Sequence, residues 1–135
     1  MQGQYTKLIT MKPKNKKILV ADDDPAICDA VQFMLEEEGY TVSTTVNGET
    51  IYKMETDFPD LLLLDIWMSG QDGREICKYL KKKELTRDIP IIMVSASRDI
   101  EESAKSAGAN DFLAKPFKMD DLLDKIAKHT QHPVK

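Results

Sequence analysis

The sequence predicts an α/β fold, a doubly wound parallel sheet of five strands and five helices in one domain, and three observations predict it. Short apolar runs end in polar or charged residues at 17–22, 60–65, 90–95 and 111–115. Segments with helical apolar spacing separate them, and one further run, 40–46, alternates as a half-exposed edge strand does. Strands that alternate with helices pair in parallel, through right-handed crossovers that put helices on both faces.

Lys17-Ile-Leu-Val-Ala-Asp22 and Asp60-Leu-Leu-Leu-Leu-Asp65 read as strands buried on both faces. In the edge strand, Tyr40, Val42, Thr44 and Val46 fall on one face. Between the first two strands, Ile27, Ala30, Val31, Met34 and Leu35 form one helical stripe, which Gly39 can terminate. Asp24-Pro25 opens that helix, since proline is tolerated at a first helical position. Weaker helices are expected over 48–57 and 99–107, punctuated by Asn47-Gly48 and Ala107-Gly108. A stripe of Ile76, Cys77 and Leu80 follows a cap at Asp72. Ile91, Ile92, Met93 and Val94 fill the fourth strand, and Phe112, Leu113 and Ala114 the fifth. The last helix carries Leu122, Leu123, Ile126 and Ala127.

Composition narrows the function. The 135 residues are 41% hydrophobic and 31% charged, within the range of globular domains. No apolar run is long enough to cross a bilayer, and no signal-peptide pattern is present, so a cytoplasmic location without membrane contact is expected. The net charge of -4 is uneven: residues 1–17 hold five lysines and no acid, which leaves the remainder with 14 basic and 23 acidic residues. A body this acidic argues against nucleic-acid binding by this domain alone. Residues 1–15 read as a flexible basic leader, 16–129 as the domain and 130–135 as a tail. Cys28 and Cys77 fit neither a redox pair nor a zinc cluster and read as packed thiols. His129 and His132 read as solvated tail residues, Met68 as a packing residue, and Lys81 to Lys83 as a solvated helix end.

Sites in such sheets form at the carboxyl ends of the strands. Asp22 and Asp23, Asp65, Ser95 and Lys115 all stand there. Three converging carboxylates repel one another unless a cation joins them, and hard oxygen donors favour Mg²⁺ or Mn²⁺. One aspartate is then free to act as a nucleophile, while the ammonium and hydroxyl can donate to phosphoryl oxygens. The chemistry reads as phosphoryl transfer to a carboxylate.

The motifs resemble the receiver domains of two-component response regulators over about residues 16–129. Ile18-Leu-Val-Ala-Asp-Asp-Asp-Pro25, Leu61-Leu-Leu-Leu-Asp-Ile-Trp-Met68 with Asp72-Gly73, Val94-Ser95-Ala96 and Lys115-Pro116-Phe117 carry the resemblance. It implies a flavodoxin-like sheet in the order 2-1-3-4-5 and a phosphoacceptor signalling domain, not a turnover enzyme, that assists its own phosphorylation and dephosphorylation. Asp65 is the implied acceptor. Asp23, Asp65 and the Trp67 backbone carbonyl would bind Mg²⁺, with Mn²⁺ as a substitute, and Asp22 would act largely through coordinated water. Ser95 and Lys115 would contact the phosphoryl group, and Ala96 would leave it space. Phe112 stands where the family places a mobile aromatic. The resemblance also implies a cis peptide between Lys115 and Pro116. The partners implied are a histidine kinase or histidine phosphotransfer protein and a downstream protein, bound through the face of the fourth and fifth strands and the helices that follow them.

Three departures stand out. Ser69 replaces a common proline and is expected to loosen the acceptor loop, Lys118 replaces a capping residue, and Trp67 is bulky beside the pocket, where it is expected to shield the acyl phosphate from water. An aspartate-nucleophile phosphatase of the haloacid-dehalogenase type is the rival, through Asp22-x-Asp24, but it leaves Asp65 unassigned. A receiver-like module that is never phosphorylated is the second rival.

Overall fold

The computed structural model describes residues 16–130. The chain runs β1 (Lys17–Ala21), α1 (Pro25–Glu37), β2 (Thr41–Thr45), α2 (Gly48–Tyr52), β3 (Leu61–Asp65), α3 (Gly73–Lys82), β4 (Ile91–Ser95), α4 (Ile100–Ala107), β5 (Asp111–Ala114) and α5 (Met119–Thr130). The sheet is parallel in the order β2-β1-β3-β4-β5, as expected. A two-residue ribbon, Trp67–Met68 against Gln71–Asp72, closes the loop between β3 and α3.

Every residue of β3 and β4 is buried, as continuous apolar runs require of central strands covered on both faces. One layer of core packs Leu62, Leu64, Ile91 and Met93 against α3 and α4 through Ile76, Leu80, Ile100 and Ala104. The opposite layer packs Ile18, Val20, Leu63 and Ile92 against α1 and α5 through Val31, Leu35, Leu122 and Ile126. Alternate side chains of one strand thus feed opposite layers.

Local chemistry starts the helices where the sequence suggests. Asp24, Asn47 and Asp72 each accept a hydrogen bond from a backbone N–H of the first turn, and Pro25 follows Asp24. Gly39, at φ 101°, ends the turn after α1. Lys118 stands before α5, its carbonyl accepting from the N–H groups of Asp121 and Leu122, with Asp120 and Asp121 in the first turn.

Several expectations are corrected. The buried face of α1 is Cys28, Val31 and Leu35, so Ala30 faces solvent and Ile27 is only half-buried. β2 is the half-exposed edge strand expected, but only Tyr40 and Val42 of its alternating face are buried; Thr44 and, past the strand's end, Val46 are exposed. The second helix stops at Tyr52, well short of 57. Lys81 does not join Lys82 in solvent; its ammonium donates to the carbonyls of Arg87 and Ile89 and to Asn110 Oδ1, tying the end of α3 to the loops flanking β4. His129 belongs to α5, with Nε2 2.9 Å from Asp111 Oδ2. Ser69 does not leave its loop free, since its Oγ donates to the Val46 carbonyl at 3.1 Å. Cys28, Cys77 and Met68 are buried as packing residues. The leader 1–15, the tail from 131 and His132 lie outside the described residues.

Candidate functional site

Parallel strands deliver their carboxyl ends to one edge of the sheet, and there the polar residues gather. Asp22 follows β1, Asp65 ends β3, Ser95 ends β4 and Lys115 follows β5. Asp23, next to Asp22, is exposed, whereas Asp22 and Asp65 are buried. Carboxylate oxygens of Asp22, Asp23 and Asp65 lie within 4.8 Å of one another. One cation with oxygen ligands at about 2.1 Å spans nearly that distance, so the donor set fits Mg²⁺.

Lys115 reaches into this acid cluster. Its Nζ lies 2.9 Å from Asp22 Oδ2 and 3.5 Å from Asp65 Oδ2. The other Asp22 oxygen accepts from the Asp24 N–H at 2.9 Å. The Lys115–Pro116 peptide is cis, as expected. Burial pushes the Asp65 carboxyl up to about 6, helped by the charges of Asp22 and Asp23 and opposed by Lys115 and by the Trp67 backbone N–H. Burial alone would lower the Lys115 ammonium, but Asp22 and Asp65 outweigh it and raise its pKa.

Asp65, Trp67, Ser95, Ala96, Ser97 and Lys115 line one open cleft of about 410 Å³. Ser95 is buried, its Oγ accepting from the Ser97 N–H at 3.0 Å. Ala96 is exposed, so only a methyl group borders the cleft beside Ser95. The expected nucleophile, hydroxyl and ammonium therefore share one opening, with Asp22 and Asp23 on the flank of Asp65. Phe112 stands apart, half-buried against the core, with the Lys125 ammonium 5.5 Å from its ring centroid.

Sequence reading missed two groups. Arg74 grips Asp72 through Nε and Nη2 and lies 5.2 Å from the Trp67 ring centroid. Asp111 accepts from Lys125 Nζ and is paired with His129, and these bonds, with the Phe112 N–H, overcome its burial and hold its carboxyl at about 2. Spacing gives no signal for the first contact. The second could have been sought in the i, i+4 pair of Lys125 and His129, although nothing local names their partner.

The family model for the response regulator receiver domain matches residues 18–127. The chain is 37% identical over 113 residues to the DNA-binding dual master transcriptional regulator RpaA of Synechocystis, covering 82% of this chain and 47% of that protein. It is 41% identical over 106 residues to the alkaline phosphatase synthesis transcriptional regulatory protein PhoP of Bacillus subtilis, covering 76% and 43%. The chain thus spans about half the length of the curated relatives it matches. Among solved structures, a putative response regulator from Chloroflexus aurantiacus superimposes with a TM-score of 0.77 at 34% identity, covering 87% of this chain and 98% of that one. Response regulator protein TrrA of Thermotoga maritima, in complex with Mg(2+)-BeF, gives 0.76 at 36% identity, covering 84% and 98%. Because the family match runs from the first strand into the last helix, on a sheet these receiver structures share, the chain belongs to the response regulator receiver domain family.

Proposed function

We propose that this receiver domain accepts a phosphoryl group onto Asp65 from the phosphohistidine of a histidine kinase or histidine phosphotransfer protein, in a Mg²⁺-dependent reaction that Mn²⁺ also supports. The observation that carries the reading is the Asp65 carboxylate itself: buried, within 4.8 Å of Asp22 and Asp23, and contacted by Lys115 in a cleft that opens outward. An Asp65 oxygen attacks phosphorus, the bond from phosphorus to the imidazole nitrogen breaks, and the imidazole leaves with that electron pair. Lys115 and Ser95 donate to phosphoryl oxygens as charge shifts onto them. Bound Mg²⁺, held by Asp23, Asp65 and the Trp67 carbonyl with Asp22 behind a coordinated water, would neutralise the carboxylates and the incoming phosphoryl group; the donor set and the relative solved with Mg(2+)-BeF support this.

The phosphorylated domain then switches binding of a downstream protein through β4, α4, β5 and α5, with Ala96, Phe112 and Pro116 nearest the change. Residues 16–129 act as the receiver unit, in the cytoplasm; no helix among the described residues is long and apolar enough to cross a membrane. Mass spectrometry after acetyl phosphate and Mg²⁺ tests the reading. One phosphoryl group retained on Asp65 in the native chain, and none in Asp65→Asn, is the expected result. Turnover through Asp22 would indicate a phosphatase of the haloacid-dehalogenase type, and no reaction a module that is never phosphorylated.

A further inference from the structure

The loop beside Asp65 joins Trp67, Asp72 and Arg74 in one arrangement. Trp67 is 57% exposed, and the Arg74 guanidinium lies 5.2 Å from its ring centroid, within cation–π range. Arg74 is itself anchored: Nε lies 3.0 Å from Asp72 Oδ1 and Nη2 lies 2.8 Å from Asp72 Oδ2, a forked pair that fixes the plane of the guanidinium. Asp72 in turn caps α3 through the Arg74 N–H and pairs with Trp67 across the short ribbon. Cap, guanidinium and indole are therefore linked in series at a helix end, and Trp67 is one of the residues lining the cleft that holds Asp65, Ser95 and Lys115.

We propose that Arg74 is a positioning residue that holds the Trp67 indole as a cover over the mouth of the Asp65 cleft and thereby lengthens the life of the acyl phosphate. This rests on the acceptor role proposed for Asp65. In hydrolysis a water oxygen attacks phosphorus in line, the bond from phosphorus to the Asp65 oxygen breaks with its electron pair left on Asp65 as carboxylate, and inorganic phosphate leaves carrying the water's oxygen and one proton, the other passing to solvent. An indole fixed beside that line excludes the water; an indole released from Arg74 admits it for part of the time.

Trp67 is the chain's only tryptophan, so its emission reports the stack directly. Native chain, Arg74→Ala, Arg74→Lys, Trp67→Asn and the Arg74→Ala/Trp67→Asn double variant are compared by acyl phosphate decay in Mg²⁺ after acetyl phosphate labelling; the variants retaining Trp67 are also compared by acrylamide quenching. Arg74→Ala is expected to raise quenching and to speed decay about two- to fivefold, the range that a cation–π contact at an exposed site supports. Arg74→Lys, which keeps the charge without the fork, should fall between, and the double variant should decay no faster than Trp67→Asn alone. Native-like decay in Arg74→Ala, or additive effects in the double variant, would overturn the proposal. A thermal melt identifies a variant that has lost its fold, in which case Arg74→Lys decides. Failure of the native chain to carry phosphate on Asp65 would overturn the acceptor reading and the lifetime claim with it, while unchanged quenching would overturn the cover alone.

Discussion

Lys115 Nζ lies 2.9 Å from an oxygen of Asp22 and 3.5 Å from one of Asp65, so one ammonium is shared by two buried carboxylates and stands nearer Asp22. Burial, against the pull of Lys115, pushes the Asp65 carboxyl up to about 6, from about 4 in an unfolded chain. The native state therefore binds the extra proton between those values, and stability falls as pH rises from about 4 to 6. Asp65→Asn should stabilise the metal-free domain at pH 7 by on the order of 1 to 2 kcal/mol, after discounting for the lost contact with Lys115. Urea unfolding at pH 7 and pH 4 checks this: the gain should shrink at the lower pH, and a less stable variant at pH 7 would contradict it.

Asp23 supplies charge to the cluster from an exposed position, so the fold does not depend on it. Asp23→Ala should leave the melting temperature nearly unchanged while weakening Mg²⁺ binding by at least about tenfold, the smaller of the losses seen when even an outer partner of a metal site is removed. Titration calorimetry with Mg²⁺ measures it, and equal affinity would remove Asp23 from the metal site.

Asp111 has the opposite linkage. Burial opposes its charge, but Lys125, His129 and the Phe112 N–H hold its carboxyl at about 2. The stability it contributes is present above the unfolded value near 4 and is lost as pH falls through about 2. Asp111→Asn should cost on the order of 2 kcal/mol at pH 7, and the difference from the native chain should vanish at the acid end of a denaturation series. A difference that persists below pH 2 would assign the loss to packing.

How much of this was legible follows the range of the physics. Strands β3 and β4 announce themselves because central strands need only apolar residues, and the carboxyl-end rule then places Asp22, Asp65, Ser95 and Lys115 together without knowledge of any contact. Periodicity located α1 and the buried line of its face through Val31 and Leu35, with Ile27 packed at the edge of the core, but overran on one side: Ala30 and Met34 are exposed, and Cys28 is buried instead. A helical stripe fixes rotation only as finely as its own width, and the sheet decides the rest. Lys81 and His129 give no local sign of their side-chain partners, Asn110 and Asp111, which stand 29 and 18 residues away. The Arg74 stack on Trp67 depends on the ribbon that folds residues 67–72 back, which no local pattern encodes.

Gly73 packs tightly beneath Asp65. A Cβ there would collide with the Asp65 carbonyl oxygen and stand 2.9 Å from Ile66 Cα, and neither backbone atom can step aside without moving Asp65. Gly73→Ala should cost about 1 to 3 kcal/mol of stability, as overpacking does, and weaken Mg²⁺ binding as well. Chemical denaturation and Mg²⁺ titration read the two effects, and a shift in stability with native Mg²⁺ affinity would show that the strain stops short of Asp65.

The solvent-facing side of α1 bears on where a phosphohistidine protein would dock. Ala30 faces solvent, Ile27 is half-buried, and Phe33 and Met34 expose 62% and 36% of their surface on the same helix. This helix begins just after Asp22 and Asp23, so a protein carrying phosphohistidine in line with Asp65 has to rest near its start. Acetyl phosphate needs no such surface. Ala30→Arg should therefore slow transfer from a cognate phosphohistidine protein by about tenfold or more, since a buried unpaired charge at an interface costs several kcal/mol, while labelling by acetyl phosphate keeps its native rate. Parallel time courses with the two donors make the comparison. Equal slowing with both would place the damage in the Asp65 site, and native rates with both would move the docking surface off α1.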